Sequence, residues 1–110
     1  MRTTTTPDGL MLIGGEMCAA AEGGWLDSEN PANEQPLGRV ACAGAEDVSR
    51  AVAAARSAQP GWAGRSVWER GAALRRLAAG IRARGPQILD LEARDTGNTI
   101  GKLAADAPGS

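Results

Sequence analysis

The chain changes character within residues 37–56, which read LGRVACAGAEDVSRAVAAAR. Residues 37–42 alternate apolar and other side chains, a pattern typical of a half-buried strand. Beyond Gly44, the acidic residues Glu46 and Asp47 stand where the first free N–H groups of a helix favour negative charge. Apolar residues then recur at helical spacing: Val48, Ala51, Val52 and Ala55. The stretch predicts a strand followed by an amphipathic helix, which indicates an α/β fold.

The sequence before this stretch is extended and rich in turns. Two short apolar runs flank the Gly-Gly pair at residues 14–15, and both glycines tolerate the positive φ of a tight turn, so a β-hairpin is predicted within residues 10–19. Residues 25–29 are predicted to be a short extended stretch. Residues 30–36, with two prolines and two asparagines, are predicted to be a loop. We expect residues 1–9 to be a disordered lead.

The sequence after this stretch predicts the end of the first helix and the start of a second. Gln59-Pro60-Gly61 is expected to end the first helix, because proline and glycine disfavour its continuation. Ser66 and Glu69 match a capping box, in which each residue satisfies a free backbone donor of the other. The second helix is predicted to carry a buried apolar stripe at Leu74, Leu77, Ala78 and Ile81.

The remainder of the chain is predicted to hold two shorter helices. Pro86 suits the first turn of a third helix, whose apolar side continues to Asp95. A turn at residues 96–98 precedes a fourth helix near Ile100. Residues 108–110, Pro-Gly-Ser, interrupt that helix, and we expect a truncated end there. The layout is therefore a small β unit followed by amphipathic helices.

The composition argues against several classes of function. A net charge of −1 gives no steering toward nucleic acid or an anionic membrane. The arginines of the second helix scatter around its polar side, which favours a solvated face: Arg65, Arg70, Arg75, Arg76, Arg82 and Arg84. No segment approaches the roughly 20 apolar residues of a membrane span. We expect a cytoplasmic protein that contacts neither nucleic acid nor membrane.

The chain shows no set of residues typical of a catalytic site. It has no histidine to act as a general base, and Cys18 and Cys42 lie far apart. Neither cysteine opens a helix, so both are predicted to be reduced and partly buried thiols. The Gly-Gly pairs fit neither the dinucleotide nor the Walker phosphate-loop pattern. Asp95, beside the carbonyl groups at the end of the third helix, fits either a cation ligand or ordinary turn chemistry.

A series of short motifs resembles the start of an aldehyde dehydrogenase. No single motif is diagnostic, but their order and approximate spacing match the family over residues 10–107. The resemblance implies that these residues form the N-terminal part of that family's coenzyme-binding domain, and not all of it. The motifs are Leu12-Ile13-Gly14-Gly15-Glu16, Glu29-Asn30-Pro31-Ala32, Leu37-Gly38-Arg39-Val40, Ala45-Glu46-Asp47-Val48, Ala51-Val52-Ala53-Ala54-Ala55-Arg56, Trp62-Ala63, Arg70, Leu74, Leu77, Leu91-Glu92 and Asp95-Thr96-Gly97.

The resemblance also implies a chemistry. Family members oxidise aldehydes to carboxylic acids with NAD or NADP, and they usually form dimers or tetramers. Their nucleophilic cysteine, glutamate, oxyanion-hole asparagine and coenzyme-binding glycine loop all lie further along a full-length member. This chain is therefore expected to be a fragment of such an oxidoreductase, inactive alone, without catalytic or coenzyme-binding residues of its own. The alternative is a non-catalytic helical interaction module that pairs with a full-length aldehyde dehydrogenase.

A structural cation is a further implication of the resemblance. Some members, betaine-aldehyde dehydrogenases among them, bind a monovalent cation, K⁺ or Na⁺, near this region. The matching ligands here are Ser28 and Glu29, through backbone carbonyl groups, and Asp95, through its carboxylate. Many members have Lys-Pro after Asp-Thr-Gly, whereas this chain has Asn98-Thr99. The subfamily, and with it the aldehyde, therefore stays open.

Overall fold

The protein, in a computed structural model that describes residues 6–106, forms two compact units. One unit contains the residues up to Ser28 together with Gly38–Arg65, and the other contains Glu29–Leu37 and the residues from Ser66 onward. Residues 1–5 of the predicted lead and the predicted end at 108–110 lie outside the described residues. Strands precede helices, which confirms the predicted α/β layout: β1 (Met11–Ile13), β2 (Glu16–Cys18), β3 (Trp25–Glu29), β4 (Pro36–Ala41), α1 (Ala45–Ala63), α2 (Val67–Ala83), α3 (Gly85–Thr96) and α4 (Ile100–Asp106).

The predicted hairpin is confirmed in the first unit. Strands β1 and β2 pair antiparallel, with Met11 opposite Cys18 and Ile13 opposite Glu16. The turn between them is made by two glycines at residues 14 and 15 with φ of 61° and 83°. These angles lie in the left-handed region, which glycine enters without a Cβ clash. The Gly-Gly pair therefore fixes the register of the hairpin.

Strands β3 and β4 form a second two-stranded sheet, a pairing that the sequence pattern did not predict. The loop that joins them is the predicted one, although Pro36 already belongs to β4. Two asparagine side chains accept backbone N–H groups within it: Asn30 Oδ1 from Ala32, and Asn33 Oδ1 from Gln35, both at 2.9 Å. These side chains take the place of backbone acceptors, which is why asparagine favours turns.

Part of the predicted disordered lead is bound to β4. Gly9 forms a parallel bridge with Val40, in which its N–H donates to the Arg39 carbonyl and its carbonyl accepts from the Ala41 N–H, both at 2.8 Å. The predicted disorder is therefore wrong at Gly9. Residues 6–9 contain no strand pattern of their own, and Gly9 is held here because a neighbouring strand offers backbone partners.

The first helix is longer than the sequence predicts. Helix α1 continues through Pro60 to Ala63, so the predicted stop at residues 59–61 is wrong. A proline in a helix lacks its own N–H donor and its ring crowds the carbonyl four residues earlier, but its own carbonyl can still accept a hydrogen bond. The Pro60 carbonyl does so, at 2.9 Å from the N–H of Gly64. The helix thus loses one backbone hydrogen bond at Pro60 without ending there.

Helices α2 and α3 of the second unit begin where the local signals place them. The Ser66 hydroxyl accepts a 3.1 Å hydrogen bond from the Glu69 N–H, which confirms one half of the predicted capping box. Pro86 lies in the first turn of α3, as predicted. Helix α3 ends at Gly97, whose φ of 75° is the left-handed cap that glycine favours. These boundaries depend on local chemistry, so the sequence suffices to find them.

The core of the described part of the chain is small. Its buried apolar residues are Ala20, Leu37 and Leu103. The predicted burial of the α2 stripe is wrong for its large residues, since Leu74, Leu77 and Ile81 are 58%, 60% and 46% exposed. Ala78, the fourth member, is half-buried. Helical periodicity tells which residues share a face, but it does not tell whether another element covers that face. None of the described helices is long and apolar enough to cross a membrane.

Candidate functional site

The end of α3 carries Asp95, the carboxylate that was predicted to bind a cation. The last turn is closed locally: the Thr96 hydroxyl donates to the Glu92 carbonyl at 2.7 Å, and the Gly97 N–H donates to the Ala93 carbonyl at 3.0 Å. Carbonyl groups at a helix C-terminus carry partial negative charge, which attracts cations and disfavours a nearby carboxylate. Oxygen donors of this kind suit a hard cation.

The loop between β3 and β4 approaches this helix end within the second unit. A Cβ atom placed on Gly97 would lie 2.9 Å from Cγ of Pro31, so the two residues are in close contact. Glu29, at the start of that loop, therefore shares a unit with Asp95, whereas Ser28 belongs to the first unit. Among the described residues, no three acidic, cysteine or histidine side chains gather as a metal site. That observation does not test a site of backbone carbonyl groups and one carboxylate, so the cation site stays a prediction.

The start of α1 holds a buried carboxylate whose role the sequence reasoning missed. Asp47 is 2% exposed. Its Oδ2 accepts the Gly44 N–H at 2.9 Å, and its Oδ1 accepts both the Ala21 N–H at 3.0 Å and Nη2 of Arg50 at 2.7 Å. The hydrogen bond from Gly44, followed by those from Arg50 and Ala21, holds the pKa of Asp47 below its ordinary value of 3.8. Asp47 therefore ties the segment after β2 to the first turn of α1.

A local signal for half of this arrangement was present in the sequence. An acidic residue three positions after a helix cap can accept the N–H of the cap residue, as Asp47 does from Gly44. The hydrogen bond to Ala21 joins residues 26 positions apart and has no local signal. Sequence reasoning could thus have found the cap but not the burial.

The two cysteines are free thiols. Cys18 is half-buried in β2, as predicted, whereas Cys42 after β4 is exposed, so its predicted partial burial is wrong. Arg50 interacts with Cys18 as well as with Asp47, and the hydrogen bond to Asp47 is the larger cause of the raised pKa of Arg50. Activated cysteine nucleophiles commonly pair with an imidazole base, and this sequence contains no histidine. The structure adds no catalytic role for either thiol.

A second charged cluster in the first unit joins the segment before β1 to the second sheet. The Arg39 guanidinium donates two hydrogen bonds to the Asp8 carboxylate, each 3.0 Å long, and lies 3.9 Å from the centre of the Trp25 ring. The hydrogen bonds from Arg39 lower the pKa of Asp8. A bidentate ion pair and a cation–π contact together fix the orientation of one side chain. No pattern in the sequence indicates that these three residues meet.

Apolar helix faces remain exposed in each unit. In the first unit, an open groove on α1 is lined by Val48, Ser49, Val52, Ala53 and Arg56. In the second, the exposed apolar residues include Leu74, Leu77 and Ile81 on α2 and Ile88 and Leu91 on α3. Exposed apolar faces with helical periodicity are typical of surfaces that other protein elements cover.

Comparison with known proteins places these features in a family. The sequence profile described as the aldehyde dehydrogenase family matches residues 18–110. The structure resembles 3,6-anhydro-L-galactose dehydrogenase in complex with NADP, with a TM-score of 0.86 and 28% identity over 91% of this chain and 21% of that one. It resembles PnpE in complex with NAD, with a TM-score of 0.82 and 35% identity over 86% of this chain and 20% of that one.

A third similar structure is a point variant of betaine aldehyde dehydrogenase from Staphylococcus aureus in complex with NAD⁺. Its TM-score is 0.80, with 32% identity over 86% of this chain and 20% of that one. The chain thus spans about a fifth of the length of each of the three structures and corresponds to their N-terminal NAD-binding region. The three similar proteins are differently named, so the similarity identifies the family but not a subfamily. The chain belongs to the aldehyde dehydrogenase family.

Proposed function

We propose that this chain is the N-terminal part of the coenzyme-binding domain of an NAD(P)-dependent oxidoreductase, one that oxidises an aldehyde to a carboxylic acid. The family match over residues 18–110 carries the proposal. The NAD or NADP bound in all three similar structures supports the choice of cofactor class. The betaine aldehyde dehydrogenase is one of several relatives, so the proposed substrate is an aldehyde without further specification.

The proposed role of these residues within such an enzyme is to scaffold it. The apolar faces on α1 and α2 provide surface that other parts of an enzyme can cover, and full burial of a leucine or valine stabilises a protein by about 1.5–3 kcal/mol. Covering Val52, Leu74 and Leu77, which are 46%, 58% and 60% exposed, would contribute part of that amount at each. The chain alone is proposed to be inactive, because the chemistry needs residues that it does not supply.

A chimera tests both parts of this proposal. The chain replaces the matching N-terminal region of the Staphylococcus aureus betaine aldehyde dehydrogenase, and NADH formation is followed with a panel of aldehydes. We expect activity from the chimera and none from the purified chain. A matched chimera with Leu77→Asp, which charges the exposed α2 face, is expected to lose activity, whereas Arg75→Asp on the polar side is tolerated. NADH formation by the chain alone, or a folded but inactive parent chimera, would contradict the proposal.

We also propose that Ser28, Glu29 and Asp95 contribute to a structural site for K⁺ or Na⁺. The support is chemical: two backbone carbonyl groups and a carboxylate are hard oxygen donors, and Asp95 lies at a helix end that favours positive charge. The ion would neutralise the carboxylate and bind the carbonyl groups together.

A second candidate function rests on the exposed apolar faces. In this reading the chain is a non-catalytic helical module that pairs with a full-length aldehyde dehydrogenase or with itself. Affinity purification of the chain together with a co-expressed full-length relative distinguishes the two proposals. Co-elution in a fixed ratio favours the module, and a monodisperse monomer that does not co-elute argues against it.

The cytoplasm is the proposed location of the protein. The support is compositional: a small secreted scaffold usually carries more cysteines than the two of this chain. Fractionation of cells that express the tagged chain measures this directly. Recovery of the chain in a membrane or secreted fraction would contradict the proposal.

A further inference from the structure

Strand β4 has two edges, and the described hydrogen bonds show what lies on each. Successive backbone N–H groups of a strand point to opposite edges. The Cys42 N–H donates to the Gly24 carbonyl at 2.9 Å, beside β3, whereas the Ala41 N–H donates to the Gly9 carbonyl at 2.8 Å. Gly9 therefore lies along the edge of β4 opposite β3, which we call the outer edge.

Residues 6–9, which we call the strap, fit the outer edge closely. A Cβ on Gly9 would lie 2.7 Å from Cγ1 of Val40, and a Cβ on Gly38 would overlap Oγ1 of Thr6. Glycine at both positions therefore lets the strap and β4 approach each other. The strap is fastened next to its bridge by the two 3.0 Å hydrogen bonds between Asp8 and Arg39. Arg39 is itself held 3.9 Å from the Trp25 ring.

We propose that the strap closes the outer edge of β4 and prevents that edge from adding an extended strand of a second copy of this chain. An uncovered strand edge presents unpaired N–H and C=O groups that pair with another chain. A second copy is the occupant that fits, because its own residues 6–9 carry the same glycine and aspartate that this edge accommodates. Loosening the strap thus exposes a site that the strap of a neighbour can fill, as in strand exchange.

Two variants of the 110-residue chain loosen the strap by different means. Gly9→Ala introduces the Cβ that meets Val40, with Gly85→Ala as its control because a Cβ at Gly85 meets nothing within 4 Å. Asp8→Asn removes the charge that Arg39 binds, with the exposed Glu22→Gln as its control. Hydrogen exchange of the Ala41 amide reports on the strap, and the Cys42 amide, bonded to Gly24, reports on the rest of the sheet.

We expect both strap variants to speed exchange at Ala41 by about fivefold or more while Cys42 keeps its parent rate. In sedimentation velocity, we expect larger species when either strap variant, whose edge is intact, is mixed with Arg39→Gln, whose strap is intact. Each protein alone, and Arg39→Gln mixed with either control, should sediment as the parent chain does. An unchanged exchange rate at Ala41 in both variants would contradict the proposal that the strap closes the outer edge of β4. Faster exchange at Ala41 with no larger species in the mixtures with Arg39→Gln would overturn its role in keeping copies apart.

Discussion

Two helix ends in this protein each carry an aspartate, and the two carboxylates meet opposite surroundings. At the start of α1, Asp47 is buried and accepts hydrogen bonds from Gly44, Ala21 and Arg50. At the end of α3, Asp95 is exposed. A helix start offers free N–H donors, whereas a helix end offers free carbonyl groups of the same sign as a carboxylate. The Asp47 carboxylate is stabilised by donors of the chain itself, whereas Asp95 stands at a helix end whose carbonyl groups favour positive charge nearby.

The largest expected effect comes from removing the buried carboxylate. Asp47→Ala leaves the N–H groups of Ala21 and Gly44 without their acceptor and Arg50 without its partner. Buried donors that lose their acceptor destabilise a protein strongly, so we expect the melting temperature to fall by about 10 °C in thermal unfolding followed by circular dichroism.

Asp95→Ala, measured without K⁺ or Na⁺, is the matched control for this comparison. We expect its melting temperature to stay within about 2 °C of that of the parent chain, because substitutions at exposed positions usually change stability little. Equal losses in the two variants would show that the contrast between the two helix ends does not exist.

A smaller effect is expected at the glycine that closes α3. Gly97→Ala places a Cβ at a φ of 75° and 2.9 Å from Cγ of Pro31. We expect it to lower the free energy of unfolding by about 1–2 kcal/mol in urea denaturation, because the left-handed conformation disfavours a side chain. Gly85→Ala, where the new Cβ meets open space, should change it by less than about 0.5 kcal/mol. A neutral Gly97→Ala would indicate that the loop does not pack on the helix end.

Acid should erase the advantage of the buried aspartate. Its pKa in the folded chain lies below the ordinary value of 3.8 that applies when the chain is unfolded. Ionised Asp47 therefore stabilises the fold fully above pH 3.8, and that contribution is lost as the pH falls through the lower, folded-state pKa. The stability difference between the parent chain and Asp47→Asn should shrink over this range in urea denaturation. A constant difference down to about pH 2 would contradict the assignment.

The smallest expected effect is that of the cation. If K⁺ binds at Asp95, replacing choline chloride with KCl raises the free energy of unfolding by about 0.4 kcal/mol once the K⁺ concentration equals Kd. Asp95→Asn should abolish the increase, whereas Asp90→Asn, which removes the partner of Arg94 on the exposed side of α3, should retain it. An identical response to KCl in all three proteins would assign the increase to general salt effects.

Local chemistry made much of the fold predictable. The left-handed turn at Gly14 and Gly15, the Ser66 cap and the Gly97 helix end each depend on residues a few positions apart. The stop predicted at Pro60 was wrong, because the breaking effect of proline is a local penalty that the rest of a helix can offset. For the candidate site, the sequence indicated Asp95 through family resemblance, while Asp47 was read only as charge near a helix start.

The sequence by itself determined the order of strands and helices, the apolar faces of the helices and membership of the aldehyde dehydrogenase family. These properties follow from periodicity, turn chemistry and motif order, all of which are written along the chain. Only the tertiary structure decided that Asp47 bonds to Ala21, that Arg39 joins Asp8 to Trp25, and that the α2 stripe is exposed. Hydrogen bonding and burial depend on which distant residues approach each other, and the spacing of residues along the chain does not indicate those long-range contacts.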